Sequence, residues 1–322
     1  MFRLFDDAHY DVMAHWKSAM VVTSAFLIPG LIVFAFRGLN SSIEFTGGTL
    51  IQVHAVDESI QSGTLRSALA AQGLSGTEIQ TFGAPNEFVI RARLDPRADV
   101  SEETTQETEQ TVRQALSAAF SPEAFEIVRT EAVGPKVGSE LRERATLALL
   151  LAFGATFLVL WFRYEWRFGF AAVVASIHDI VTTLAFVSYL NLEISLMVVA
   201  ALLTLIGYSL NDTIVTFDRV RENIKKTKRG EYFYHVLNRS INETLPRTIL
   251  TSGTTFGAVL ALLILGGSVI RPFAWVMAFG IFTGTFSSIF IASPILLGVE
   301  RRWPSDAVKV MKPGERPVPA TT

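Results

Sequence analysis

Six long apolar runs constrain the fold of this chain more than any other feature of its sequence. They cover Ser18–Phe36, Ala145–Phe162, Gly169–Leu190, Ile194–Phe217, Ile249–Leu265 and Phe273–Leu297. Each has about the 17–25 residues that a helix needs to cross a hydrocarbon core roughly 30 Å thick. Of the 322 residues 50% are hydrophobic and only 18% are charged, and the mean hydropathy is +0.37. The sequence therefore predicts a polytopic α-helical membrane protein with six transmembrane helices.

The composition excludes several kinds of functional site. The chain contains no cysteine, which removes disulfides, thiolate metal sites and cysteine catalysis. His178 has no second histidine or acid four residues away with which to build a metal site. The formal net charge of −2 provides no basic field for a nucleic acid. We therefore expect no metal, no cofactor and no nucleic-acid partner.

The lysines and arginines that flank the spans are distributed unevenly. Seventeen lie in the N-terminal tail 1–17, the turn after the second span, the loop 218–248 and the C-terminal tail 298–322, whereas the short loops on the other side hold only Arg271. By the positive-inside rule both termini are cytoplasmic. The segment 38–140 then lies outside, because long loops are translocated largely regardless of their charge.

The external segment 38–140 is long enough to form a domain of its own. Its predicted elements are a strand Leu50–Val56, a helix Gly63–Gln72, strands Glu78–Phe82 and Glu87–Arg93, a helix Glu102–Phe120 and a strand Ala124–Val133. The order βαββαβ is that of an α+β ferredoxin-like domain. Because this segment shows no cluster of His, Asp and Glu with metal-ligand spacing, we expect a binding or lever module.

The basic loop 218–248 contains an apolar stripe. Phe233, Val236, Leu237, Ile241 and Leu245 recur at helical spacing within Glu231–Leu245. The pattern suits an amphipathic helix at the membrane surface, with the preceding basic cluster near anionic lipid headgroups. Ordinary positive-inside charge explains the basic cluster equally well.

Two acids interrupt the apolar spans. Asp179 lies near the middle of the third span next to His178, and Asp212 lies in the fourth span after Asn211. An acid in mid-membrane costs about 2.5–3.5 kcal/mol even on the lenient insertion scale, so such residues usually mark ion or proton routes. Helical spacing predicts that one face of the fourth span carries Thr204, Tyr208, Asn211, Asp212 and Val215.

Small residues recur at helical spacing in the last two spans. The fifth span has Gly253 and Gly257, and the sixth has Gly280 and Gly284. This small-xxx-small pattern lets helix backbones approach closely, so we expect these glycines to pack against other helices. Simpler interpretations of the polar residues remain open, since Asn211 could be an interhelical hydrogen-bond donor and intramembrane Ser and Thr can bond backbone carbonyls.

The motifs of the chain resemble those of the SecF family of protein-export membrane proteins. The fourth span reads "ALLTLIGYSLNDTIVTFDRVREN" and the fifth begins "TLPRTILTSGTT". The other matching motifs are "FTGGT" at Phe45–Thr49, "VGPKVG" at Val133–Gly138 and "HD" at His178–Asp179. They follow one another in the family's order from the first span to the sixth. One departure is Ser42-Ile43-Glu44, where the family usually has Gly-Ile-Asp.

The resemblance implies a function and a set of partners. The SecF family belongs to the resistance-nodulation-division superfamily, whose members couple proton flow to movement of external domains. With SecD, which supplies another six helices, it uses the proton-motive force to promote preprotein translocation across the bacterial cytoplasmic (inner) membrane. The implied partners are SecD, the SecYEG translocon, YajC, the translocating preprotein and membrane lipids. The coupling ion is the proton.

The resemblance also implies roles for particular residues. Asp179 and Asp212 are the candidate proton-relay groups. The candidate gating partners are Asn211, Arg247, His178 and Tyr208. Gly47 and Gly48 form a candidate hinge between the first span and the external domain.

A passive structural subunit without proton coupling stays open, and two other functions are compatible with parts of the pattern. A proton-driven exporter of small molecules or lipids from the same superfamily would share the relay, but it would need twelve spans and two large external loops in one chain. An intramembrane serine hydrolase would need a second glycine after Gly207-Tyr208-Ser209, and a zinc hydrolase would need H-E-x-x-H, and both are absent. We therefore expect no enzymatic activity.

The distribution of basic residues predicts the topology directly. A reporter fused near Asp95 should be active only when it is exported, and one fused near Lys226 should be cytoplasmic. The chain is free of cysteine, so a single cysteine at either position can be tested with a membrane-impermeant thiol reagent. Labelling of a cysteine at position 226 from outside intact cells would contradict this topology.

Overall fold

The computed structural model describes residues 9–57, 60–72, 74, 77–81, 84–92, 102–226 and 231–304. Its α-helices are α1 Trp16–Arg37, α2 Ile43–Thr46, α3 Ser62–Ala71, α4 Glu102–Ala119, α5 Pro135–Arg163, α6 Trp166–Tyr189, α7 Leu196–Lys226, α8 Phe233–Leu265, α9 Gly267–Ser287 and α10 Ser293–Arg302. Its strands are β1 Gly48–Ala55, β2 Glu78–Thr81, β3 Glu87–Ala92 and β4 Phe125–Val133. A 3-10 turn Val12–His15 precedes α1, and a π-helical segment Ser288–Ala292 joins α9 to α10.

The predicted fold class is confirmed. Within the described ranges, six helical segments are long and apolar enough to cross a membrane, namely α1, α5, α6, α7, α8 and α9 with its continuation α10. The apolar windows of α6, α7 and α9–α10 are half or more buried within the chain, whereas those of α1, α5 and α8 are mostly exposed. The first set therefore forms the centre of the bundle, and the second presents apolar surface outward.

The close packing of α9 on α7 depends on two glycines. A Cβ added at Gly280 would lie 2.6 Å from the Leu205 side chain, and one added at Gly284 would lie 3.1 Å from the Cβ of Ser209. The glycines of α8 behave differently, since a Cβ at Gly253 or Gly257 would meet nothing within 4 Å. No described part of this chain packs on these two glycines, because their face of α8 is exposed, and their role in helix packing stays a prediction.

The domain between α1 and α5, which the basic residues predict to be external and which keeps the name external domain below, is a four-stranded antiparallel sheet in the order β2-β3-β1-β4. Its elements follow the predicted βαββαβ order and begin and end close to the predicted residues; Phe82 and Arg93, the predicted ends of two strands, lie outside the described residues. Side chains alternate between the two faces of a strand. One face contributes Ile51 and Ile90, which pack with Leu65 of α3 and Leu116 of α4 in a separate apolar core.

The second face of the sheet is directed away from α3 and α4. It carries Leu50, Gln52, Val89, Arg91, Arg129 and Glu131, as the strand pairing and the two-residue period require. Several of these residues line a cavity of about 130 Å³ together with Glu193 of the α6–α7 loop, Met197 of α7 and Pro272 of α9. The sheet therefore lies over the membrane bundle with this face toward it.

The predicted surface helix Glu231–Leu245 is instead the first part of α8, which continues through Pro246 as one helix. Its apolar stripe is buried inside the protein, with Phe233, Val236, Leu237 and Ile241 each 1% exposed or less. The interpretation as a helix lying on lipid is therefore wrong. An apolar stripe of this width can be buried against a neighbouring protein surface as well as against a bilayer. Residues 227–230 of the basic cluster lie outside the described ranges.

The close contact of α9 with α7 predicts the effect of two glycine substitutions. Gly280→Ala should lower the midpoint of thermal unfolding of the detergent-solubilised protein relative to Gly298→Ala, because overpacking against Leu205 costs about 1–3 kcal/mol. Gly298→Ala in α10 is the matched control, since a Cβ there meets nothing within 4 Å. The control should be neutral or slightly stabilising, since alanine favours a helix over glycine by about 1 kcal/mol. Equal midpoints for the two variants would contradict this packing.

Candidate functional site

Asp179 lies in the centre of the bundle, on α6, and is 1% exposed. Ser209 of α7 and Ser287 of α9 both donate hydrogen bonds to its Oδ2, the second at 2.7 Å. The Nδ1 of His178 lies 3.2 Å from its Oδ1. Ser287 lies about one turn after Gly284, at which α9 approaches α7 closely. The carboxyl is therefore surrounded by polar groups from three helices.

His178 extends this network to α1. Its Nε2 lies 2.7 Å from the Oγ1 of Thr23, which is buried, and 3.4 Å from the Oγ1 of Thr182. A neutral ring with its proton on Nδ1 would donate to Asp179 and accept from Thr23, which satisfies all three groups. The hydrogen bonds therefore run from α1 through the imidazole to the acid on α6.

Asp212 on α7 is also buried, at 3% exposure. The Oγ of Ser252 on α8 donates to its Oδ2 at 3.0 Å, and Ser252 in turn accepts a hydrogen bond from Thr285 of α9 at 2.8 Å. The Arg247 guanidinium, just over one turn before Ser252 on α8, interacts with this carboxyl electrostatically. The gating role of Arg247 stays a prediction.

The two acids are connected through α9. Ser287 binds Asp179, and Thr285, two residues earlier, binds the partner of Asp212. The helix changes to π geometry immediately afterwards, at Ser288–Ala292, and such segments occur often at functional sites. Hydroxyl groups rotate and can donate or accept. They can therefore satisfy a carboxyl in its neutral and in its ionised form, as a proton-exchanging site requires.

The predicted polar face of the fourth span divides into two. Asp212 turns into the bundle, whereas Asn211 and Thr204 are exposed. Consecutive residues point about 100° apart on a helix of 3.6 residues per turn, so Asn211 and Asp212 cannot share one narrow face. Tyr208 is half-buried between them, and its hydroxyl lies 3.4 Å from the carbonyl oxygen of Thr251. The expectation of one common face is wrong, and Asn211 faces outward.

Gly47 and Gly48 connect α2 to β1 with φ angles of +75° and +133°, which side chains with a Cβ rarely adopt. A Cβ at Gly48 would also lie 3.0 Å from the carbonyl oxygen of Ala92. On the other side, Gly138 at the start of α5 lets that helix approach Phe45 and the nitrogen of Gly47. The glycine pair thus forms a tight turn between the domain and the membrane helices, and its role as a hinge stays a prediction.

Sequence reasoning missed several members of this site. Ser209, Ser287, Thr285 and Thr23 contact the acids or their partners, and none of them was singled out. A signal existed for Ser287, which continues the glycine row of α9 at the i+7 position. Among the residues that the structure describes, no group of three or more His, Asp and Glu side chains could hold a metal ion.

Two family models match the chain. Residues 111–302 match the model "Protein export membrane protein SecD/SecF, C-terminal", and residues 32–56 match the model "SecD/SecF GG Motif". The second range contains the adjacent pair Gly47 and Gly48. The fold and the matched ranges therefore define a membrane protein of the SecD/SecF class.

Full-length relatives narrow the assignment. The protein translocase subunit SecF of Gemmatimonas aurantiaca is 52% identical over 305 residues, which cover 94% of this chain and 91% of the relative. The protein translocase subunit SecF of Vibrio alginolyticus is 42% identical over 285 residues, covering 88% and 87%. The chain belongs to the SecF family of protein translocase subunits, a family of multi-pass proteins of the bacterial inner membrane.

Two solved structures share the fold. SecDF of Thermus thermophilus, a translocon-associated membrane protein, is 36% identical and superposes with a TM-score of 0.82 over 93% of this chain. A SecDF structure in a super-membrane-facing form is 37% identical, with a TM-score of 0.63 over 94% of this chain. The chain spans 40% of the length of each SecDF chain.

Proposed function

We propose that this chain works with SecD to drive preprotein export with the proton-motive force, and that Asp179 and Asp212 carry the proton. The observation that supports the proposal is the placement of both carboxyls in the buried centre of the bundle, each held by hydroxyl groups of other helices. A proton that moves down the membrane potential releases about 2.3 kcal/mol per 100 mV. This is comparable with the few kcal/mol that separate two conformations of a protein.

The exposed face of α7 and α8 supports a protein partner within the membrane. The exposed residues of α7 include Thr204 and Asn211, which share one side of that helix, and those of α8 include Arg247, Gly253 and Gly257. Polar side chains that face lipid cost free energy. Polar and small residues pack well against another helix. We assign SecD to this face because the solved relatives contain both parts in one chain. Asn211 and Arg247 then become gating partners at the boundary between the two subunits.

The remaining assignments follow from the same proposal. SecYEG and YajC are further partners, the preprotein contacts the external domain, and lipids surround the outward apolar faces of α1 and α5. Both termini are cytoplasmic, as the basic residues predict. The chain contributes no enzymatic step, and the proton is the coupling ion without a further cofactor.

Replacing each acid by asparagine separates a proton relay from a structural role. Asparagine keeps the shape and hydrogen-bonding capacity of aspartate but cannot gain or lose a proton. Asp179→Asn and Asp212→Asn should each assemble with SecD and should lose the part of preprotein export into membrane vesicles that an uncoupler abolishes in the wild type. Export in the variants should equal wild-type export in the presence of uncoupler.

The control for this experiment is Asp218→Asn, which changes an acid on the same helix as Asp212 whose side chain is 65% exposed. It should export like the wild type. Full uncoupler-sensitive export by both Asp179→Asn and Asp212→Asn vesicles, with normal amounts of SecD, would contradict the relay.

A further inference from the structure

Arg91 of the external domain is held by the loop between α6 and α7. Its side chain is 7% exposed, and its Nη2 lies 2.5 Å from the Oε2 of Glu193 in that loop. Its Nη1 donates to the Oδ1 of Asn40 at 3.1 Å. Asn40 in turn donates to the carbonyl oxygen of Asn191, in the same loop, at 3.2 Å. Both Nη groups of this buried guanidinium on β3 are thus connected to the α6–α7 loop, one through Glu193 and the other through Asn40.

Backbone hydrogen bonds connect the segment before the external domain to the same α6–α7 loop. The amide of Ser42 donates to the carbonyl of Ile194 at 2.9 Å, and the amide of Ile194 donates to the carbonyl of Asn40 at 2.7 Å. Ser41 and Ile194 form a parallel bridge. The chain that leads into the external domain therefore pairs directly with the α6–α7 loop.

Glu44 adds a contact to α7 itself. Its Oε2 accepts a hydrogen bond from the amide of Leu196 at 2.6 Å, and Leu196 is the first residue of α7. A carboxylate at a helix N-terminus satisfies an unpaired amide and is favoured by the helix dipole.

These contacts are made to the segment that connects α6 and α7, the two helices that carry the buried acids. The α6–α7 loop follows the helix of Asp179 and precedes the helix of Asp212. Any change in the spacing or tilt of α6 against α7 must displace this loop. Because Arg91, Asn40 and Glu44 all hold the loop or the first turn of α7, such a displacement is passed to the external domain.

The electrostatics of the junction favour a positioning role over a stabilising one. Burial raises the pKa of Glu193 above its ordinary value, and the neighbouring Glu44 and Glu131 raise it further, although Arg91 lowers it. Buried ion pairs contribute little net stability but can fix one arrangement against others. The cavity of about 130 Å³ beside the pair, lined also by Arg129, leaves room for the loop to shift.

We propose that Arg91, Glu193 and Glu44 form an external latch that transmits movement of α6 and α7, on proton uptake, to the external domain. Arg91 is a positioning residue in this scheme, and it takes no proton itself. The inference rests on the proposed function, because it assigns the step that follows protonation of Asp179 and Asp212.

The test separates proton movement from export in the same vesicles. Arg91→Met and Glu193→Gln, each in the complex with SecD, should retain wild-type proton uptake and should lose uncoupler-sensitive preprotein export. The charge-swapped double variant Arg91→Glu with Glu193→Arg should regain most of that export. Arg113→Ala is the control, because Arg113 makes an ion pair in the same domain with its side chain 53% exposed, and it should match the wild type in both measurements.

Three outcomes would contradict the latch. Full uncoupler-sensitive export by Glu193→Gln, whose amide keeps the shape of the glutamate, would overturn the latch even if Arg91→Met failed to accumulate. Loss of proton uptake together with export in the single variants would also overturn it, since the pair would then act on the relay. Absence of uncoupler-sensitive export in the wild type would instead contradict the proposed function, and the latch with it.

Discussion

The arrangement of the membrane helices depends on how two carboxyl groups are accommodated away from water. An unpaired acid in an apolar interior costs several kcal/mol, so it must be neutral, paired or hydrogen-bonded. Asp179 and Asp212 receive hydrogen bonds from serines on α7, α8 and α9. None of those serines could reach its acid unless the four helices packed as they do.

The glycine row of α9 provides that packing. A Cβ at Gly280 would clash with Leu205 of α7 and one at Gly284 would be crowded by Ser209, and the next residue on the same stripe, Ser287, reaches Asp179. Small residues let helix backbones approach closely, and close packing brings hydroxyl groups near the acids. Because hydroxyl groups can donate or accept, they accommodate the carboxyl in either protonation state. The external domain contacts the same two helices through the α6–α7 loop and the first residue of α7.

Part of this arrangement could be predicted from the sequence, and the reason lies in the range of the interactions. The six spans and both acids are visible because hydropathy and charge are local properties. The orientation of Asn211 away from Asp212 was not predicted, because a list of polar positions does not say which edge of a helix is covered. The serine partners of Asp179 lie 30 and 108 residues away from it. Arg91 and Glu193 are also far apart in the sequence, and the burial of the first part of α8 depends on neighbouring surfaces that the sequence does not identify.

The most direct test of the central claim is to observe the protonation of the acids themselves. Infrared difference spectra of the SecD complex in membranes, recorded between acidic and alkaline outer pH, should contain a carboxylic C=O stretching band from buried groups. The account predicts that Asp179→Asn and Asp212→Asn each remove part of this band. A difference spectrum that is unchanged in both variants would contradict the claim that these carboxyls exchange protons.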